Sequence, residues 1–307
     1  MRVIFFGTPA FAVPSLNALI HSDEEVVAVV TQPDKRKGRE HVLSPSPVKE
    51  LALGEGIRVL QPVNLRNMSF FEELSAIRPE IITVVAYGKI LPSSVLRLPP
   101  HGCINVHASL LPKYRGAAPV QWALINGEKT TGVTTMLMDE GLDTGDILLQ
   151  EEIEIRDDDN TETLSRRLSE LGASLLMKTI KKIKEESIKP APQTGIPSYA
   201  PPLKKEDGRI DWSKEATDIF NFVRGMYPWP GAYCYFDGER IKIHKVKLID
   251  GTGKAGRIEK VGDELIVGTG KGLISIIQLQ PQGKRSMTTN AFIQGRRVKE
   301  GAFFDEQ

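Results

Sequence analysis

Ile81-Ile82-Thr83-Val84-Val85-Ala86 is a run of apolar and β-branched residues with no polar alternation. A strand with one wet face alternates apolar and polar residues, whereas a continuous run like this suits a strand covered on both faces. Working outward, the same signature recurs at Val3–Phe6 and Val26–Val30. Between these runs, Pro14–Ile20, Val48–Leu53 and Ser69–Ile77 have helical character. Pro14 stands near a helix start, where a missing N–H costs little. Covered strands alternating with helices predict parallel βαβ units and an α/β fold with a doubly wound, mostly parallel sheet. Cys103–Val106 and Gly132–Met138 are further strand candidates, and Ile147–Ile155 continues the pattern. Thr161–Glu186 predicts a long helix with Thr161 as its N-cap, closed before Pro190.

The character changes after residue 187. Pro190, Pro192, Pro197, Pro201 and Pro202 exclude a helix interior or central strand and mark a semi-rigid linker. Beyond it, Ala216–Met226 reads as a helix. Ala232–Phe236, Arg240–Leu248, Glu264–Gly268 and Leu273–Leu279 read as short strands split by Asp237-Gly238 and other glycines. That spacing predicts a small antiparallel, OB-like β-barrel. The expected domains are therefore 1–187 and 209–307, joined by a linker over 188–208, in line with a length of 307 residues.

Bulk composition narrows the class. At 40% hydrophobic and 26% charged, with no apolar run near about 18 residues, the chain reads as soluble and globular. The apolar opening ends at Gly7 and leads into Pro9 and Pro14, unlike a secretory signal. Cys103 and Cys234 are far apart with no CxxC, which supports neither a disulfide framework nor a zinc site and fits a reducing cytoplasm. No obvious apolar seam is exposed, so a monomer is expected. The net charge is +1, but Arg209 to the end carries sixteen Lys and Arg against twelve Asp and Glu. A balance of that size does not establish a nucleic-acid partner, although a local basic surface suffices for one.

Chemistry concentrates in Asn105-Val106-His107-Ala108-Ser109-Leu110-Leu111-Pro112-Lys113-Tyr114-Arg115-Gly116. On a strand, Asn105 and His107 share a face, at the carboxyl end where open α/β sheets bind ligands. An amide that donates to a developing oxyanion beside an imidazole that handles a proton suits acyl transfer. The loop Asp139–Asp146, tightened by Gly141 and Gly145, is expected to bring Asp143 against His107. Taken singly, each has a bland reading: His107 as a structural histidine at a strand end, Asp143 as a turn former. Gly7-Thr8-Pro9-Ala10-Phe11-Ala12 follows the first strand but lacks GxGxxG, and Phe11 and Pro9 obstruct a pyrophosphate, so a dinucleotide is rejected. No P-loop or HExxH is present. Spacing alone leaves an α/β enzyme of transferase type.

Asn105-x-His107, then Ser109-Leu110-Leu111-Pro112-x-Tyr114-Arg115-Gly116, with Asp143 in Gly141-Leu142-Asp143-Thr144-Gly145, resembles the 10-formyltetrahydrofolate-dependent formyltransferase family. The resemblance implies a Rossmann-like catalytic domain and a catalytic set of Asn105, His107 and Asp143. It also implies a folate pocket lined by Ser109, Leu110, Leu111 and Pro112, with Ile90, Leu91 and Val95 as apolar walls and Glu140, Gly141 and Leu142 at the polar edge. The formyl donor is then 10-formyltetrahydrofolate, with no metal. Gly116-Ala117-Ala118-Pro119-Val120-Gln121, the inserted loop Thr31–Arg39 and the C-terminal region are similar to the branch whose acceptor is methionyl-initiator-tRNA, used in translation initiation. In that branch Lys35, Arg36, Lys37 and Arg39, with Lys204, Lys205 and Lys245, are expected to face tRNA; an ordinary solvated charged surface is the alternative. Trp212, Trp229 and Tyr227 are expected to pack rather than stack on bases. Rival readings are a formyl-folate hydrolase, an amino-sugar formyltransferase and a catalytically silent tRNA-binding module.

Overall fold

The computed structural model describes residues 1–37 and 42–305. In chain order the elements open with β1 (Arg2–Gly7), α1 (Val13–Ile20), β2 (Glu25–Val30), β3 (Lys35–Lys37), β4 (Val42–Ser44), α2 (Pro47–Gly54), β5 (Val59–Leu60), α3 (Met68–Ile77) and β6 (Ile81–Val85). There follow α4 (Ser93–Leu96), β7 (Cys103–His107), β8 (Arg115–Gly116), α5 (Pro119–Ile125), β9 (Thr130–Leu137), β10 (Ile147–Glu154), α6 (Thr161–Lys184) and β11 (Tyr199–Ala200). The remainder is α7 (Ala216–Met226), β12 (Ala232–Phe236), β13 (Glu239–Ile249), β14 (Ile258–Val261), β15 (Leu265–Gly268), β16 (Leu273–Pro281), β17 (Met287–Thr288) and α8 (Thr289–Gln294).

These elements form two compact units, one of Met1–Pro119, Thr130–Glu154 and Ser165–Ala200, the other of Val120–Lys129, Ile155–Leu164 and Pro201–Gln307. The units are discontinuous in sequence. Most of α5 and the first turn of α6, expected from the sequence in the first domain, fall in the second unit.

The first unit is built on a seven-stranded sheet in the order β10-β9-β7-β6-β1-β2-β5. The five strands from β7 to β5 are mutually parallel, and β9 runs antiparallel to both β7 and β10. The chain steps outward from β1 through β2 to β5, then returns to the other side of β1 with β6. The reversal opens a crevice at the carboxyl ends of β1 and β6, the usual ligand side of such sheets. Ile4, Phe6, Val30, Ile82 and Leu74 pack in one buried cluster. Burying each such side chain contributes about 1.5–3 kcal/mol, which is why the continuous apolar runs settle as central strands. Cys103 joins that cluster, and burial pushes its thiol up to about 12, so it stays protonated and unreactive.

Helix starts follow local capping chemistry. The Ser46 hydroxyl accepts from Lys49 N at the start of α2, and Asn67 Oδ1 accepts from Ser69 N at the start of α3. Each such cap contributes about 1 kcal/mol. The cap of α6 differs from expectation. Asn160 Oδ1 accepts from Glu162 N at 2.9 Å and Thr163 N at 3.1 Å, making Asn160 the cap. Thr161 is already helical and spends its hydroxyl on the Gly225 carbonyl, 2.7 Å away.

In the second unit the strands run β12-β13-β16-β15-β14, all antiparallel, with β17 on β16. Among the described residues the named strands end at β12 and β14, and the segment 301–305 bonds to both: Gly301 N donates to Ile258 O, Ile258 N donates to Ala302 O, and Asp305 N donates to Tyr235 O. Trp212 is buried and stacks on Phe304 at 5.4 Å, as expected. Trp229 is the correction: 57% of it is exposed, because it sits in the turn between α7 and β12 with Pro228 and Pro230 on either side. The β13 lysines share a face for an unforeseen reason. Register shifts on either side of Lys245 mark a bulge, and the extra residue restores Lys247 to the outward side that Lys242 occupies.

Candidate active site

β7 ends at His107, on the carboxyl side of the parallel strands. Val106 points toward α6 at Gly172, where a Cβ would come within 2.9 Å of Val106 Cγ1. The strand period of two therefore sends Asn105 and His107 to the opposite face, beside Met136 and Thr134 of β9. Both are largely buried, at 9% and 6% exposure. Among the described residues the Asn105 side chain makes no hydrogen bond. Its amide is not among the fully buried unsatisfied polar groups, so it faces space that a ligand's hydrogen-bonding atom can occupy.

His107 is fixed by the loop that follows it. Its Nε2 lies 2.9 Å from the Tyr114 carbonyl, and since a carbonyl only accepts, Nε2 carries the proton. Nδ1 is left facing Asp143 Oδ2 at 3.7 Å. The same carboxylate oxygen accepts from Gly116 N at 2.8 Å. Asp143 has φ +52°, a left-handed conformation that Asp tolerates better than most residues. Its loop is tied internally, with Asp139 Oδ1 accepting from Gly141 N at 3.0 Å and from the Thr144 hydroxyl at 2.7 Å.

The signature loop is held from several directions. Ser109 Oγ donates to Lys113 O at 2.6 Å, and the Thr134 hydroxyl donates to Ser109 O at 2.6 Å. Leu111 N donates to Thr134 Oγ1, and Gln150 Nε2 donates to Leu111 O. Ser198 Oγ accepts from Tyr114 N, and β11 pairs in parallel with β8. Gln193 bridges two segments: its Oε1 accepts from Arg115, and its Nε2 donates to the carbonyls of Asp143 and Gly145. Thr134, Gln150, Gln193 and Ser198 are not foreseeable from the sequence. Each works on the backbone of a segment distant along the chain, which leaves no local pattern.

Gly116 is required twice over. Its φ is +123°, and a Cβ there would lie 2.7 Å from the Ala200 carbonyl oxygen. Gly116→Ala is expected to lower unfolding stability by about 2 kcal/mol, read by urea denaturation. A variant as stable as the parent would mean that the β8–β11 pair yields easily.

The remaining predicted residues distribute unevenly. Ser109 and Leu111 are buried, with Leu110 and Pro112 half-buried on the same loop. Glu140, Gly141 and Leu142 are exposed on the Asp143 loop. Ile90 is exposed, whereas Leu91 and Val95 belong to the core cluster. Val95 is completely buried and backs β7 through Cys103, whose Sγ lies 3.6 Å from its carbonyl, so it supports a wall rather than forming its surface. Of the basic set, Lys35 is exposed and donates to Gln32 Oε1. The segment expected as a loop is a two-stranded ribbon over β3 and β4, pairing Arg36 with Leu43 and Lys37 with Val42. Arg39, with Gly38 and His41, lies outside the described residues. Lys204, Lys205 and Lys245 are exposed in the second unit. Among the described residues no group of three or more His, Cys, Asp or Glu side chains suits a metal ion.

Comparison with known proteins identifies the family. The formyl transferase family model matches residues 1–180, and the formyl transferase C-terminal domain model matches residues 202–297. A methionyl-tRNA formyltransferase of Thermodesulfovibrio yellowstonii is 56% identical over 97% of each chain. One from Caldanaerobacter subterraneus subsp. tengcongensis is 51% identical over 98% of this chain and 99% of its own. Among solved structures, an N-formyltransferase from Helicobacter canadensis, in complex with folinic acid and dTDP-3-aminofucose, is 22% identical with a TM-score of 0.69. It covers 91% of this chain and 100% of its own, a likeness in fold alone. Matched along nearly its whole length at about half identity or better, the chain belongs to the formyltransferase family, among the methionyl-tRNA formyltransferases.

Proposed function

We propose that this protein transfers the formyl group of 10-formyltetrahydrofolate to the α-amine of methionyl-initiator-tRNA, for translation initiation. The observation that carries the reading is the unpartnered Asn105 amide beside His107, with Asp143 Oδ2 at 3.7 Å from the imidazole Nδ1. The site fits a folate: backbone at Glu140, Gly141 and Leu142 is exposed, Ile90 offers an apolar surface, and Ser109–Pro112 is held rigidly beside the strand end. Leu91 and Val95 stiffen that wall from within. The folate supplies the formyl group on its N10 nitrogen.

Asn105 Nδ2 donates to the formyl oxygen as negative charge develops there, an interaction stronger in the transition state than in the ground state. An α-amine with a pKa of about 7.7 is partly unprotonated at neutral pH, so attack needs no strong base. Because Nε2 is committed to Tyr114 O, the amine's proton reaches His107 at Nδ1, where the Asp143 carboxylate faces the resulting cation. As the new N–C bond forms, the formyl carbon–N10 bond breaks and that proton passes to the departing N10. Formylation of purified initiator and elongator methionyl-tRNAs tests the proposal. Rapid, initiator-selective transfer is expected. Folate consumption without formylated tRNA would instead select the hydrolase or amino-sugar reading, and binding without turnover the silent module.

The tRNA surface we assign comprises Lys35, Arg36, Lys37 and Arg39 in one unit and Lys204, Lys205 and Lys245 in the other. Support comes from charge: Lys245 makes no ion pair among the described residues. Lys242 is held below the usual lysine range by its burial, then by the cations Arg240 and Lys205, an arrangement that phosphate would relieve. Replacing Lys35, Arg36, Lys37 and Arg39 with Ala is expected to raise the tRNA KM about tenfold or more with little change in kcat. Every phosphate that the variant no longer neutralises flattens the slope of log affinity against log salt by about 0.7–0.9. An unchanged slope would remove this ribbon from the interface.

Functionally, we divide the chain into a catalytic domain over 1–187, a linker over 188–208 and a tRNA-binding OB-like domain over 209–307. We place it in the cytoplasm as a monomer. Two free, buried thiols suit a reducing compartment, and among the described residues no helix is long and apolar enough to cross a membrane.

A further inference from the structure

Asp143 carries its carboxylate on a backbone that a residue with a Cβ adopts reluctantly. Something must hold it there. The carboxylate end is held by Gly116 N at 2.8 Å. The backbone end is held by a side chain some fifty residues later: Gln193 Nε2 donates to Asp143 O and to Gly145 O, both at 2.8 Å. Gln193 Oε1 accepts from Arg115 Nε at 3.1 Å and Arg115 Nη2 at 2.6 Å. Arg115 precedes Gly116 in the chain, so the contacts close a ring: Asp143 carboxylate, Gly116, Arg115, Gln193 and the Asp143 carbonyl.

A primary amide suits this junction, since it carries two donors on one atom and an acceptor on its neighbour. Arg115 forms no ion pair with a carboxylate among the described residues, so Gln193 is its polar side-chain anchor. Gln193 is itself held on both sides. Ala191 exchanges backbone hydrogen bonds with Ile147 at 2.8 and 2.9 Å, and Ser198 O accepts from Arg115 N at 2.8 Å. The proline-rich segment thus does more than connect domains.

We infer that Gln193 is a positioning residue for formyl transfer, setting the Asp143 carboxylate at its place opposite His107 Nδ1. The inference rests on the proposed activity, so wild-type turnover is measured first and tests that activity by itself. Gln193→Glu keeps the acceptor for Arg115 but sets a carboxylate oxygen against the two carbonyls; Gln193→Met fills similar volume without either function. A displacement near 1 Å at a catalytic group costs about 100-fold in rate. Both variants are therefore expected to lose kcat by about that factor, with the KM values for folate and tRNA within about twofold.

The decisive comparison is a double-mutant cycle. If Gln193 acts only through Asp143, either Gln193 variant added to Asp143→Asn changes single-turnover rates by less than about twofold. A multiplied loss in that background would overturn the role, as would a kcat within about threefold of wild type in the single variants, or a rise in KM at constant kcat. Should Gln193→Glu fail to fold, Gln193→Met carries the test. Loss of the folded state in both would make Gln193 a stability element and overturn the positioning role.

Discussion

Asn105→Ala is expected to lower kcat by about 100- to 1000-fold, the usual cost of removing one oxyanion donor in acyl transfer. The structure makes this a clean substitution. The Asn105 side chain has no hydrogen-bond partner among the described residues, so truncation strands no protein donor or acceptor. The stability change should stay near about 1 kcal/mol, typical of a small loss of buried volume. Binding of both substrates should be nearly unaffected, because the lost bond matters most when charge has built up on the formyl oxygen. Single-turnover kinetics at saturating folate and tRNA, alongside urea denaturation, separate the two effects. Near-normal turnover would remove Asn105 from the chemistry.

Asp143→Asn should be at least as damaging. Asn tolerates the left-handed backbone found at φ +52°, and its side-chain oxygen still accepts from Gly116 N. What disappears is the negative charge 3.7 Å from His107 Nδ1. A carboxylate-to-amide change beside the active-site histidine of serine proteases costs about 10 000-fold, with a direct hydrogen bond to the ring. At the longer separation here a loss of about 1000-fold in kcat is expected, with the melting temperature close to the parent's. A loss below about tenfold would reduce Asp143 to a loop-forming residue and place the proton path elsewhere.

The elements legible in the sequence are those with strong local causes. β1, β2 and β6 carry continuous apolar runs because both faces of a central parallel strand are covered. The ribbon β3–β4 is charged and short, and β5 has two residues, so neither carries such a pattern. β14 has no strand signature either, because Ile258-Glu259-Lys260-Val261 is half charged. At the start of α6, Asn160 and Thr161 are both good caps locally. The Gly225 carbonyl, distant in sequence, claims the Thr161 hydroxyl and leaves the cap to Asn160. Trp229 is a core aromatic by residue type, but a turn keeps it at the surface.

The site divides the same way. Asn105, His107 and Asp143 were readable because strand period and a compact signature place reactive groups in short stretches of chain. By itself the sequence therefore determined the α/β class, the mostly parallel sheet and the family, and singled out Asn105, His107 and Asp143 as the trio proposed for the chemistry. Only the tertiary structure decided that His107 spends Nε2 on Tyr114 and turns Nδ1 to Asp143, that Thr134, Gln150 and Ser198 brace the signature loop, and that Gln193 ties Arg115 to the Asp143 backbone. It alone also decided that segments 120–129 and 155–164 join the second unit, while the main division falls between Ala200 and Pro201, inside the linker. The reason is physical: local propensity and periodicity act over a few residues, whereas these bonds join side chains to backbone groups dozens of residues away, and only the folded chain sets their partners.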